Sequence, residues 1–196
     1  MPFYAKQRLR RISLTAPGVV MINSSIANLP NEDRWTRLNI TLHWLIVVLL
    51  AFQFFIGEWM VAFFDGGIEG KTMDALTVTF GYLHVVIGLS IFVAIALRLW
   101  DRLAHGRPPH WEGEPNWASV LARITHFGLY ALLLIMPLAG LVSWWFSNEW
   151  IGDQHVLASN VLMAFVALHI AGALANHFWF KTDVLRRILP GQGRKT

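Results

Sequence analysis

Four long apolar segments constrain the fold of this chain more than any other feature. They cover residues 39–64, 75–97, 124–146 and 156–180. A helix that crosses a bilayer of about 30 Å at 1.5 Å per residue needs roughly 20 residues, and each segment is long enough. The last three segments contain no Asp, Glu, Lys or Arg, and the first contains only Glu58. Because a water-soluble bundle would need a polar face, the sequence predicts an all-α integral membrane four-helix bundle.

The composition agrees with a membrane protein and excludes several kinds of site. Hydrophobic residues make up 55% of the 196 residues and charged residues only 14%, which is too apolar for an ordinary soluble domain. The chain contains no cysteine. Disulfides, zinc–thiolate sites, iron–sulfur clusters and covalently attached haem are therefore excluded, and any haem here must be held non-covalently.

The basic residues predict which side of the membrane each end of the chain faces. Lysine and arginine near the ends of spans stay on the cytoplasmic side, and all of the 16 basic residues except Lys71 fall on one side of the four spans. Both termini are therefore predicted to be cytoplasmic, and the positive net charge needs no nucleic-acid partner. The predicted organisation is a cytoplasmic tail at 1–33, the membrane domain at 34–190 and a short tail at 191–196.

Histidines inside the spans lie at two depths. Counted at 1.5 Å per residue from the nearest basic residue, His43, His126 and His177 lie about 5–9 Å above the inner rim. On the same scale His84 and His169 lie about 18–21 Å above it. The remaining histidines fall in predicted loops, where we expect them to be solvated: His105, His110 and His155.

Matched depths on different helices suit the binding of haem, since each iron needs one imidazole from either side. Depth pairs His84 with His169 and His43 with His177. The alternative for any single intramembrane histidine is a hydrogen bond between two helices. A metal-ion transport pathway is another alternative, which the lack of carboxylates in the last three spans disfavours.

The spans also carry short motifs that together resemble a known family. They are RLNITLHWL in the first span, LHVVIG in the second, RITHFGLYALLLIMPLAG in the third and LHIAGALANHFWFKTDVLRRILP in the fourth. In this order and spacing they resemble the prokaryotic cytochrome b561 family. The resemblance implies a bacterial inner-membrane cytochrome with two b-type haems, which exchanges electrons with ubiquinone. It also supports His43, His84, His169 and His177 as the axial ligands of the haem irons.

Polar residues at the inner level are further candidates for cofactor binding. His126 is a third histidine at the inner level, one more than the two ligands that a haem needs. It either replaces an inner ligand or, as we favour, bonds a haem propionate or a quinone carbonyl. Asn176 can hydrogen-bond a quinone but cannot titrate near neutral pH. Arg98 and Arg123 carry positive charge where propionates or a quinone would need it, although the positive-inside rule alone also places basic residues there.

Two functions are compatible with this resemblance. In the first, electrons pass from a donor at the outer face, which is superoxide in some family members, to membrane ubiquinone. In the second, the chain is the haem- and quinone-linked anchor of a dehydrogenase or hydrogenase, and the loop RPPHWEGEPNW docks a redox partner protein. The outer face would slow the approach of the superoxide anion, because several carboxylates oppose Lys71 there: Asp65, Glu69, Asp74, Glu149 and Asp153.

Overall fold

Helices account for the architecture of the described chain. The computed structural model describes residues 35–106 and 115–191, which contain α1 (Arg37–Phe55), α2 (Gly57–Glu69), α3 (Ala75–His105), α4 (Asn116–Phe146), α5 (Glu149–Phe178) and α6 (Val184–Arg187). Among them α1, α3, α4 and α5 are long and apolar enough to cross a membrane. The predicted all-α fold with four membrane spans is confirmed. The side that the termini face stays a prediction.

Several predicted features fall outside the described residues. These are the N-terminal tail at 1–33, most of the RPPHWEGEPNW loop with His110, and nearly all of the C-terminal tail at 191–196. The division of the chain into these tails and a membrane domain therefore stays a prediction.

The first predicted span is divided into two helices. Ile56 separates α1 from α2, with φ −98° and ψ 2°, and its N–H donates to the carbonyl oxygens of Phe52 and Phe54. Gly57 begins α2, and Glu58 lies in the first turn of α2, where a carboxylate stabilises a helix N-terminus. The prediction of one continuous helix over 39–64 is wrong here, because hydropathy does not register the low helix propensity of glycine.

The other spanning helices extend beyond the apolar segments that predicted them. α3 continues to His105, α4 begins at Asn116 and α5 begins at Glu149. At the start of α5 the side-chain oxygen of Asn148 accepts the N–H of Ile151 at 3.0 Å, which caps the helix. Backbone hydrogen bonding thus continues past the last apolar residue, so hydropathy alone underestimates the length of these helices.

The packing of α5 differs from that of the other spans. α3 contacts α1, α2 and α4, whereas α5 packs along α4 and against α6. The buried core contains Ile91 and Ile95 from α3 and Leu133 from α4, and α5 adds Leu162. Within the described residues α5 makes few close backbone contacts with α1 or α3. Large apolar side chains cover the outside of the spanning helices, as a lipid environment requires.

The contact between Phe63 and Gly81 joins α2 to α3. Phe63 is 8% exposed, and a Cβ added at position 81 would lie 2.7 Å from the Phe63 Cβ. We expect Gly81→Ala to displace Phe63 and to destabilise the protein by about 1–3 kcal/mol, the usual cost of overpacking. Thermal unfolding in detergent measures the effect. Gly67→Ala on α2 is the matched control, since a Cβ there meets nothing within 4 Å; equal Tm values for the two variants would contradict the prediction.

Candidate functional site

His84 on α3 and His155 on α5 form one histidine pair, which we call the outer pair. Their ring centres lie 6.3 Å apart and their planes are inclined by 68°. Both residues line a cavity of about 600 Å³, a volume within the range of about 300–1,000 Å³ that is typical of small-molecule sites. The expectation that His155 is a solvated loop residue is wrong, because α5 already begins at Glu149 and the side chain is half-buried.

The His155 ring is held in place by α4. Its Nδ1–H donates to the carbonyl oxygen of Met136 at 3.0 Å. Gly140 leaves room for the ring, since a Cβ at that position would lie 2.9 Å from the His155 Cε1. A hydrogen bond at Nδ1 fixes the tautomer and leaves Nε2 as the nitrogen that can bind a metal.

Gln53 connects α1 to the backbone of His84. Its Nε2 donates to the His84 carbonyl oxygen at 2.9 Å, and it lines the same cavity as the outer pair. Among the described residues, neither Gln53 Oε1 nor His84 Nδ1 has a hydrogen-bond partner, although both atoms are buried. Buried polar atoms are rarely left unpaired, so both atoms are suited to interact with a group bound in the cavity.

His43 on α1 and His169 on α5 form a second pair, which we call the inner pair. Their ring centres lie 6.2 Å apart, again with planes inclined by 68°. His126 on α4 lies edge-on to His169, with ring centres 5.0 Å apart, and its Nδ1–H donates to the carbonyl oxygen of Ala122 at 2.6 Å. The structure therefore brings together three of the predicted site residues at this level.

Both pairs have the spacing of two imidazoles on one metal ion. An imidazole nitrogen binds a first-row metal at about 2 Å and the ring centre lies about 1.2 Å beyond, so two rings on opposite sides have centres about 6.4 Å apart. The observed separations are 6.3 Å and 6.2 Å. Because α5 supplies one ring to each pair and is set apart from α1 and α3, the residues present fit two haem groups between helices.

The pairs that sequence depth predicted are not brought together. His169 faces His43 and not His84, and the ring of His177 contacts Phe178, 4.8 Å between ring centres. The depths on the last span were counted from Lys181, which lies beyond the end of α5 at Phe178. Counted from Phe178, where α5 ends, His169 lies about 14 Å from the inner end of the helix, and so closer to the inner level.

A spacing signal for His155 was present in the sequence. His155 and His169 are separated by 14 residues, which is close to four helical turns, about 21 Å along the axis and about 40° in direction. Two residues at this spacing lie on the same side of one helix at two depths. The predicted span began at position 156, one residue too late to include His155.

Asn176 and Arg123, both predicted to bind a cofactor, form hydrogen bonds to groups nearby in the sequence. Asn176 is 9% exposed; its Nδ2 donates to the Gly172 carbonyl oxygen at 3.2 Å, and its Oδ1 accepts from the Thr182 hydroxyl at 3.1 Å. These bonds connect the last turn of α5 to the following segment. Arg123 is exposed, and its Nε donates to the Ser119 carbonyl oxygen at 3.3 Å.

Arg98, by contrast, lies beside the inner pair. Its Nε donates to Asn39 Oδ1 at 3.2 Å, and Asn39 lies about one helical turn before His43 on the same face of α1. Its guanidinium carbon lies 5.9 Å from the centre of the Tyr130 ring on α4. The inner pair is therefore next to a positive charge.

Residues 34–191, which include all four motifs, match the family described as prokaryotic cytochrome b561. This chain belongs to that family. It is 32% identical to cytochrome b562 of Cereibacter sphaeroides, over 81% of this chain and 96% of the relative. It is 21% identical to the "Probable superoxide oxidase CybB" of Yersinia pestis, over 81% of this chain and 97% of the relative. It is 24% identical to "Cytochrome b561 homolog 2" of Escherichia coli K12, over 84% of this chain and 95% of the relative.

Family membership confirms the resemblance found in the motifs. A prokaryotic cytochrome b561 is a membrane haem protein of electron transport. With its four spanning helices, this family member is a multi-pass protein of the bacterial inner membrane.

The cytochrome depends on Gly140 to keep the His155 ring in position. A methyl group at position 140 would lie 2.9 Å from the His155 Cε1, so we expect Gly140→Ala to turn the ring away from His84. The expected result is less bound haem per chain than in the wild-type protein, measured by pyridine-haemochrome absorbance. Gly67→Ala, where a Cβ meets nothing within 4 Å, is the control. Full haem content in Gly140→Ala would contradict the role of this glycine.

Proposed function

We propose that this cytochrome b561 family member holds two b haems and transfers electrons between a donor at the outer face and ubiquinone in the membrane. The observation that carries the proposal is the matched separation of the two histidine pairs, 6.3 Å and 6.2 Å. The outer haem is assigned to His84 and His155, and the inner haem to His43 and His169. Compared with the pairing by sequence depth, His155 replaces His169 as the partner of His84, and His169 replaces His177 as the partner of His43.

The protein's own groups orient the two sites. Haem b supplies one-electron redox chemistry when bound. The bond from His155 to the Met136 carbonyl oxygen leaves Nε2 as the nitrogen that would hold the iron, and it would raise the basicity of that ligand. Arg98 supplies positive charge near the inner pair, where propionates or a quinone oxygen need a cation.

His126 is assigned to a propionate or a quinone carbonyl rather than to iron. Its ring centre is 5.0 Å from that of His169, which is less than the roughly 6.4 Å expected for two imidazoles on opposite sides of one iron. We place the ubiquinone site near His126 and Arg98. Asn176 and Arg123 are less suited to it, because their amide and guanidinium groups form hydrogen bonds to groups nearby in the sequence.

Haem content tests the ligand assignment directly. We expect two b haems per chain in the purified protein, and one in His155→Ala, because the outer iron would lose an axial ligand. His177→Ala is the matched control on the same helix and should retain both. Reduced-minus-oxidised spectra with pyridine-haemochrome quantification give the result. Loss of a haem from His177→Ala with none lost from His155→Ala would favour the depth-based pairing instead.

Superoxide is the donor to test first, since a relative of this chain is named for its oxidation. The outer face has features that slow an anion. Lys71 is paired with Glu69, whose carboxylate raises the pKa of the lysine. Hydrogen bonds from Thr77 hold the pKa of Asp74 below its usual value, so that Asp74 stays ionised. An acidic outer face instead favours a cationic donor, which supports the alternative of a haem anchor within a larger redox complex.

Salt dependence distinguishes the two donors. We expect superoxide-driven ubiquinone reduction by the purified protein to accelerate when ionic strength rises from about 0.01 to 0.15 M, since the Debye length falls from about 30 to 8 Å and the repulsion is screened. Stopped-flow haem reduction measures the rate. The exposed Asp153→Asn variant should be faster at low salt and equal to wild type at high salt. An undetectable rate at every ionic strength would exclude superoxide and leave a protein donor.

A further inference from the structure

A buried polar cluster joins the inner ends of α1 and α3. Thr36 and Asn39 lie at the start of α1, and Arg98 and Asp101 lie in the last turns of α3. Asn39 is 0% exposed, Asp101 1% and Thr36 2%. Buried polar groups are costly unless they bond to one another, so the geometry of this cluster is strongly specified.

Asn39 is the centre of the cluster. Its Nδ2 donates to Asp101 Oδ2 at 3.1 Å and to the carbonyl oxygen of Arg98 at 3.3 Å. Its Oδ1 accepts from the Nε of Arg98 at 3.2 Å. The Thr36 hydroxyl donates to Asp101 Oδ2 at 2.6 Å and accepts the backbone N–H of Asn39 at 2.9 Å. Asn39 therefore holds both the backbone and the side chain of Arg98.

The Arg98 side chain is fixed from two directions. Asn39 on α1 holds its Nε, and the Tyr130 ring on α4 lies against its guanidinium group, 5.9 Å from the guanidinium carbon to the ring centre. Asn39 and His43 are four residues apart on α1, so their side chains share one face of the helix, about 6 Å apart along its axis. The guanidinium group that Asn39 holds is therefore placed about one helical turn from His43 of the inner pair.

We propose that Asn39, supported by Asp101 and Thr36, is a positioning residue that fixes the charge of Arg98 beside the inner haem and thereby raises the midpoint potential of that haem. The inference rests on the proposed function only in assigning His43 and His169 as the ligands of the inner iron. A positive charge near an iron favours the ferrous form, because reduction lowers the positive charge of the iron.

Asn39 is the most informative residue to replace because it is neutral. Asn39→Ala removes two bonds to Arg98 without changing any charge, so a change in potential must arise through the position of other groups. Replacing Asp101 by Asn is less informative. It would raise the potential directly, through loss of a negative charge, while mispositioning Arg98 would lower it.

A redox titration of a double-mutant cycle tests the proposal. The proteins are wild type, Asn39→Ala, Arg98→Gln and the double variant, all loaded with haem. For Asn39→Ala we expect the reduced-to-oxidised ratio of the inner haem, at a fixed ambient potential, to fall about tenfold, which is about 59 mV for a one-electron couple. The double variant should match Arg98→Gln alone, since Asn39 acts through Arg98.

Two controls accompany the cycle. The outer haem serves as an internal reference, and its midpoint potential should stay unchanged in all four proteins. Asn160→Ala is the matched substitution, because Asn160 is exposed on α5 and its amide donates to the Val156 carbonyl oxygen of the same helix at 3.4 Å. It should leave both potentials at the wild-type values.

An unchanged inner potential in Asn39→Ala would overturn the proposal, as would a second, additive fall in the double variant. If Asn39→Ala does not accumulate in the membrane, Thr36→Val replaces it in the experiment. We then expect a smaller fall in the midpoint potential of the inner haem, and an unchanged potential would again overturn the proposal. Failure of the proposed function is seen separately, in wild-type protein that lacks two b haems or in His43→Ala protein that retains both.

Discussion

Lipid supplies no hydrogen bonds, and the rest of this structure depends on that constraint. The backbone meets it by forming helices, and the polar side chains meet it by bonding to another part of the chain. Gln53 bonds to the backbone of α3, and His155 bonds to the backbone of α4. Asn39 bonds to Arg98. Each of these bonds joins two helices, so each adds a directional contact to the apolar packing between them.

The fold could be predicted from the sequence because each span is marked by a run of some twenty mostly apolar residues. The break at Ile56 could not, since it depends on one local backbone conformation within an apolar segment. The site was predicted in part. Three of the four proposed ligands were selected, but His155 was missed because hydropathy placed the helix boundary one residue away from it. The depth of a histidine on α5 has to be counted from the end of that helix at Phe178. The charged residue Lys181 lies beyond the helix and does not mark its end.

The two histidine pairs have different electrostatic surroundings. The outer pair lines a cavity that carboxylates such as Glu58 and Asp153 also border, whereas the inner pair has Arg98 beside it. Negative charge disfavours an added electron and positive charge favours it. Under the proposed ligand assignment, the protein therefore makes electron movement from the outer haem to the inner haem favourable. Position and charge, rather than any covalent step on the protein, supply this direction.

α5 contributes one histidine to each pair, and it is the last of the four spans in the chain. Under the proposed assignment, neither iron can receive its second ligand until α5 has been synthesised and inserted. Cofactor capture then becomes a late event in biogenesis. A chain that is stalled or cut before α5 therefore lacks one of the two proposed ligands at each site.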